Sequence, residues 1–164
     1  MTKEKQPALY LILGCIALIL AACQPAAEST AIAEPPVHLA PAPELAPDRY
    51  NVAFLIMNGV YNTELTAPYD IFQHTIFRDS IKAMNTFLVA NTLAPVRTFE
   101  GLHLLPHFNY LTDSLPPIDI LVVPSAEHHL DTDLRDTAMI NFVRRTALRA
   151  RFVTSHCDGA FVLA

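Results

Sequence analysis

The sequence predicts a doubly wound α/β domain on a mostly parallel sheet, and three observations carry that prediction. Two largely apolar runs, Asn51 to Met57 and Ile118 to Pro124, have the composition of strands buried on both faces. Helical patterns alternate with the strand patterns along the chain. A short strand at Phe152 and Val153 then runs into an apolar helix through a turn that holds a single cysteine, Cys157.

The beginning of the chain stands apart from this domain. Lys3 and Lys5 precede an apolar run from Ala8 to Ala22, which suits a signal-peptide core and falls short of the ~20 residues that span a bilayer. It ends in Leu20-Ala21-Ala22-Cys23, which resembles a bacterial lipobox. The expectation is a signal peptide over 1–22 and a lipidated Cys23, giving a membrane-anchored lipoprotein of the bacterial cell envelope. Six of the thirteen prolines fall between Gln24 and Arg49. Residues 23–49 therefore read as an extended tether, with the folded part over 50–164.

Within the folded part, strand one ends at Asn58-Gly59, and Asn62 or Thr63 can cap a helix that turns Leu65, Ile71, Phe72 and Ile76 toward the sheet. Pro68 is tolerable only near the start of that helix. Thr86 to Asn91 reads as a second strand, and Val96 to Phe108 as one or two short ones broken at Gly101 and Pro106. After Ile118–Pro124 comes a helix with Asp131, Asp133 and Asp136 crowding its start and Arg144, Arg145 and Arg149 its end, as the helix dipole favours. Leu134, Ile140, Val143 and Ala147 give its inward stripe.

Cys157 is the only cysteine of the folded part, so an internal disulfide is excluded there. Ser155 and Asp158 suit a cap, Gly159 removes a side chain where backbone passes closely, and Ala160 to Ala164 begin the final helix. A thiol at that helix start would meet unpaired N–H groups that favour the thiolate. In a doubly wound sheet, ligands bind at the carboxyl ends of the strands. Cys157, Ser125 and Glu64 all follow such ends, so three distant segments are expected to line one crevice. Taken locally, Glu64 is no more than a dipole-complementing residue, worth ~0.3–1 kcal/mol.

The net charge of −5 and the lack of a basic cluster argue against a nucleic-acid partner. His128 and His129 with Asp131 could bind a metal only if adjacent loop histidines pointed the same way, so no metal is expected. No cofactor is expected either. His103 and His107 read as strand or turn residues. His156 would alternate away from the crevice if it still belongs to the strand, which makes packing or surface its first reading and acid–base work its second.

Val52-Ala-Phe-Leu-Ile-Met-Asn-Gly59, Glu64-Leu-Thr-Ala-Pro-Tyr-Asp-Ile-Phe72, Asp119-Ile-Leu-Val-Val-Pro124 and Ser155-His-Cys-Asp-Gly-Ala-Phe-Val-Leu-Ala164, in this order, resemble the ThiJ/PfpI family. This is the DJ-1-like branch of the class I glutamine amidotransferase-like fold, and the likeness is to the subgroup that includes isonitrile hydratase. The resemblance implies a flavodoxin-like sheet with a strand–cysteine–helix nucleophile elbow. It implies Cys157 as nucleophile and Glu64 as an acid that stays protonated and donates to the sulfur. The backbone N–H groups of Asp158 and Ala126 become oxyanion-hole candidates. A Gly-Gly pair commonly follows the proline where this chain has Ser125-Ala126, and protease-like members carry a histidine where this chain has Asp158. Both departures bear on the site.

The resemblance implies a small carbonyl, amide or isonitrile-type substrate for a hydrolase or lyase, with a homodimer as the common assembly among relatives. The non-catalytic alternative is a binding or oxidant-sensing domain in which Cys157 is oxidised to sulfenic or sulfinic acid. The chain stops seven residues after Cys157 inside an apolar run with no stop signal. The expectation from this is a fragment of a longer domain, or an inactive truncated product.

Overall fold

A computed structural model of the chain describes residues 41–164. The expected signal segment, the lipidation site Cys23 and the tether up to residue 40 lie outside the described residues.

The apolar run after Arg49 forms β1 (Tyr50–Leu55) at the centre of the sheet. α1 (Asn62–Gln73) leads to β2 (Met84–Ala90), followed by the short strands β3 (Val96–Arg97), β4 (His103–Leu104) and β5 (Phe108–Asn109). β6 (Ile120–Val123), α2 (Thr137–Ala147), β7 (Phe152–Ser155) and α3 (Gly159–Leu163) complete the described chain. The main sheet runs β5-β2-β1-β6-β7 with every pairing parallel, while β3 and β4 form a separate antiparallel pair. The direction of winding reverses beside β1, the flavodoxin-like order, which leaves a crevice above the carboxyl ends of β1 and β6.

Side-chain alternation divides the strands between two cores. Ala53, Leu55, Phe87, Val89, Leu121 and Val123 face Met139, Phe142 and Val143 of α2. Val52, Phe54, Ile56, Ala90, Ile120 and Val122 face α1 through Leu65, with Tyr69 and Phe72 packed alongside. The central strands β1 and β6 thus bury both of their faces, which is why they read as apolar runs, whereas the edge strand β7 leaves Phe152 exposed.

Several expectations are corrected at the level of side chains. In α1, Ile71 is 69% exposed and Ile76 lies in a following 3-10 turn, so the inward stripe is Leu65, Tyr69 and Phe72. Leu134 lies exposed in the 3-10 turn before α2 and Ala147 is exposed at its end, so the buried face of α2 is Met139, Phe142 and Val143. Two overlapping stripes at helical spacing exist in that sequence, and the height of the sheet beneath selects one of them. Asp136 is the cap of α2 and accepts from the N–H groups of Ala138 and Met139, whereas Asp133 belongs to the preceding 3-10 turn. Packed structure also begins before the expected boundary at residue 50. Leu45 packs on the core, and the backbone of Ala46 exchanges hydrogen bonds of 3.2 and 2.9 Å with the Asn85 side chain. Among the described residues no helix is long and apolar enough to cross a membrane.

Asp119 ties together the amino ends of three strands. Its carboxylate accepts from the Asn51 N–H at 2.9 Å and lies 3.3 Å from Arg151 Nε, while its carbonyl accepts from the N–H groups of Arg151 and Phe152. Removing the carboxylate strands the Asn51 amide, so Asp119→Ala is expected to lower stability by about 1–2 kcal/mol, read as a lower urea midpoint at unchanged m-value.

Candidate active site

The turn after β7 is set by a close approach between two backbones. Pairing of β6 with β7 runs as far as Val123 and Ser155, and the His156 N–H then donates to the Val123 carbonyl at 3.0 Å. Gly159 passes so near that a Cβ there would lie 2.2 Å from the Val123 oxygen and 3.0 Å from that of Pro124. The chain must therefore reverse sharply between these points. Cys157 takes the strain, with φ of 49°, the only non-glycine residue at positive φ among the described residues. That conformation costs about 1–2 kcal/mol for a residue with a Cβ, and it leaves the free thiol on an exposed turn.

The facing wall is stitched from three loops. Val60, after β1, bridges to Ala126, after β6, with Tyr61 N–H donating to the Ser125 carbonyl at 3.1 Å and Glu127 N–H to that of Gly59 at 3.0 Å. The β3–β4 hairpin joins through Gly59 N–H to the Arg97 carbonyl at 2.9 Å and Phe99 N–H to the Val60 carbonyl at 3.0 Å. Neither Asn62 nor Thr63 caps α1; the cap position is Tyr61, which makes no side-chain bond, and Glu100 of the hairpin accepts from the Asn62 N–H at 3.1 Å.

Glu64 lies in the first turn of α1, and its Oε2 comes within 3.1 Å of His156 Nδ1. The oxygen is buried and receives no well-directed hydrogen bond, so the contact is a close carboxyl–imidazole approach. His156 does not alternate away, because β7 has already ended at Ser155 and the turn swings its side chain toward α1. His156 and Glu64 are thereby brought together beside the turn that holds Cys157, and among the described residues no hydrogen bond joins Glu64 to the thiol.

The Ala126 N–H does not stand free. It donates to Asp158 Oδ1 at 3.2 Å, and the Ser125 hydroxyl donates to the same oxygen. The expected oxyanion donor is thus engaged by the chain's own carboxylate. Among the described residues no hydrogen bond uses the backbone N–H of Asp158.

Beneath the wall, His129 is fully buried, with Nδ1 2.8 Å from Asp133 Oδ2 and Nε2 2.9 Å from the Pro124 carbonyl. Burial alone would lower its pKa. The hydrogen bonds to Asp133 and Pro124 and the charges of Asp133 and Asp158 outweigh burial and raise it. As an imidazolium it can donate to both acceptors at once. Sequence reasoning considered His129 only as a metal ligand; the signal for its actual role is the four-residue spacing to Asp133. Among the described residues no group of three or more His, Cys, Asp or Glu side chains could hold a metal ion. A recess of about 340 Å³ opens beside the stitched loops, lined by Asn58, Gly59, Arg97, Thr98, Phe99, Glu127 and His128. Cys157 is not on its lining.

No family model matches the chain. The isonitrile hydratase of Pseudomonas putida is 31% identical over 112 residues, which are 68% of this chain and 45% of that protein. A ThiJ/PfpI family protein from Pseudomonas syringae superposes with a TM-score of 0.56 at 24% identity, over 77% of this chain and 52% of that one. Drosophila melanogaster DJ-1beta gives a TM-score of 0.56 at 12% identity, over 70% and 59%. The chain spans about half the length of these proteins.

Two outcomes test this account. Gly159→Ala is expected to cost about 3 kcal/mol, the upper end of what overpacking usually does, because the new Cβ meets backbone oxygen that cannot rotate away; the urea midpoint measures it. The second concerns pH. His129 is raised above its ordinary 6.5, so its contribution is complete below pH 6.5 and is lost as pH rises through the folded value. Burial lowers His107, whose Nδ1 accepts from the Leu88 N–H at 2.8 Å, so that contribution is complete above pH 6.5 and is lost as pH falls through the lowered value. Stability is expected to peak near pH 6.5, with His129→Gln flattening the alkaline limb and His107→Gln the acid limb in urea titrations across pH.

Proposed function

Since the chain belongs to the DJ-1/ThiJ/PfpI family, we propose that it is a cysteine-dependent hydrolase or lyase in which Cys157 attacks the electrophilic carbon of a small carbonyl, amide or isonitrile-type substrate. The observation that supports this most is the exposed thiol on a left-handed turn, next to the Glu64–His156 pair at the carboxyl edge of the sheet. The close approach of Gly159 to Val123 forces the turn, and the strained conformation that results presents the thiol to the crevice.

The Cys157 thiolate adds to the isonitrile carbon while a proton is delivered to that carbon, giving an enzyme-bound thioimidate. Water adds to the same carbon and its proton passes to nitrogen; expulsion of the thiolate, with the hydroxyl proton returning to His156, releases an N-substituted formamide. His156, 3.1 Å from Glu64 Oε2, is the group suited to move these protons, and Glu64 holds the imidazole in place. The protein works, on this reading, at the surface of the bacterial cell envelope, tethered through a lipid on Cys23.

The expected outcome is formamide production from an alkyl isonitrile, abolished by Cys157→Ser and reduced roughly 10²–10⁴-fold by His156→Ala, with Glu64→Gln altering the pH profile of kcat. Turnover that survives Cys157→Ser would sink the mechanism. Intact mass of membrane-extracted protein, with Cys23→Ser as control, tests the anchor.

A further inference from the structure

Asp158 sits where a reacting oxygen would look for a donor. Its Oδ1 accepts from two groups of the turn after β6, the Ala126 N–H at 3.2 Å and the Ser125 hydroxyl. Ser125 is 1% exposed and Ala126 is fully buried, so neither can turn to another partner without opening the stitched wall. The carboxylate belongs to the residue directly after Cys157, which keeps a negative charge beside the thiol. We propose that Asp158 is a specificity-determining residue: an internal anion that occupies the oxyanion position and turns the site toward neutral or positively charged electrophiles, away from those that carry or develop negative charge on oxygen. This rests on the assignment of Cys157 as the nucleophile.

The surroundings add to the same field. Glu64 Oε2 is buried with no hydrogen-bond donor of its own. The Tyr61 phenol is held above its ordinary pKa by burial and then by the charges of Asp158, Glu127, Glu100 and Glu64, so four carboxylates converge on this mouth. Against them stand His156 at the elbow and Arg97 and His128 on the neighbouring recess. Acyl transfer places charge on the carbonyl oxygen in its tetrahedral intermediate. In this site that oxygen would find the Ala126 donor engaged and a carboxylate beside it, with only the Asp158 N–H unspent. Addition at a carbon that leaves no anionic oxygen meets neither obstacle.

The test compares two alkylating agents with the same leaving group, neutral iodoacetamide and anionic iodoacetate, on the full chain, reading loss of unmodified Cys157 by peptide mass spectrometry. The expected ratio of the two rates in the native protein exceeds that in urea by roughly tenfold, since a like charge close to the thiol slows the anion. Asp158→Asn keeps an acceptor oxygen for Ala126 and Ser125 but removes the charge, and it is expected to bring the ratio most of the way back to the urea value. A measurement on the unaltered chain guards against misfolding of the variant: added salt should speed iodoacetate and leave iodoacetamide unchanged. Equal ratios in wild type and Asp158→Asn, or an iodoacetate rate that falls with salt, would overturn the proposal even if Cys157-dependent turnover stands. An intact ratio in a chain whose turnover survives Cys157→Ser would instead support the charge effect while removing the catalytic reading.

Discussion

The candidate site depends on one close approach, the backbone of Gly159 lying against the carbonyl of Val123. Parallel pairing carries β7 alongside β6 to Val123, and the same carbonyl then receives the His156 N–H at 3.0 Å. Between those two contacts the chain has two residues, Cys157 and Asp158, in which to turn and start α3. With no room for a Cβ at 159, the turn is forced to be tight, and the left-handed conformation falls on Cys157. The thiol's exposure, the swing of His156 toward Glu64 and the reach of Asp158 to Ser125 and Ala126 all follow from that geometry.

A tight elbow would be of little use against a mobile opposite wall, and the wall is held by backbone rather than by side chains. The loops after β1 and β6 and the β3–β4 hairpin exchange main-chain hydrogen bonds of 2.9–3.1 Å with one another. Such bonds satisfy groups that would otherwise be buried unpaired, so opening one loop exposes the others. Glu100 serves the first turn of α1 from the hairpin and couples the helix that carries Glu64 to the same unit. His129 supports it from below, bonded to the Pro124 carbonyl just before Ser125.

This construction gives the crevice its electrostatic character. Ser125 and Ala126 direct a hydroxyl and an amide at one carboxylate oxygen. A charge anchored in that way cannot swing aside when substrate arrives. On the proposal made for Asp158, a carboxylate fixed in this way selects electrophiles by charge.

The strands were legible because burial on both faces leaves continuous apolar runs, and β1 and β6 lie within a residue or two of where those runs predict them. The cysteine turn and the need for glycine at 159 were legible for a similar reason, since each is a local demand of backbone geometry on residue type. Helix faces were less so: α2 offers overlapping stripes, and only the sheet beneath decides that Met139 and Phe142 are buried while Ala147 is not. The partners of polar groups were not legible at all. That Glu64 meets His156, that Asp158 engages Ala126, that Glu100 serves α1 and that His129 bonds Asp133 and Pro124 became visible only in the folded chain. Hydrogen bonds and ion pairs act over about 3 Å and depend on direction. They are settled by where each element ends in space, which the period of a sequence does not encode. By itself the sequence determined the layers and the position of the thiol, because hydrophobic burial is non-directional and shows in pattern alone; tertiary structure decided which charges face it.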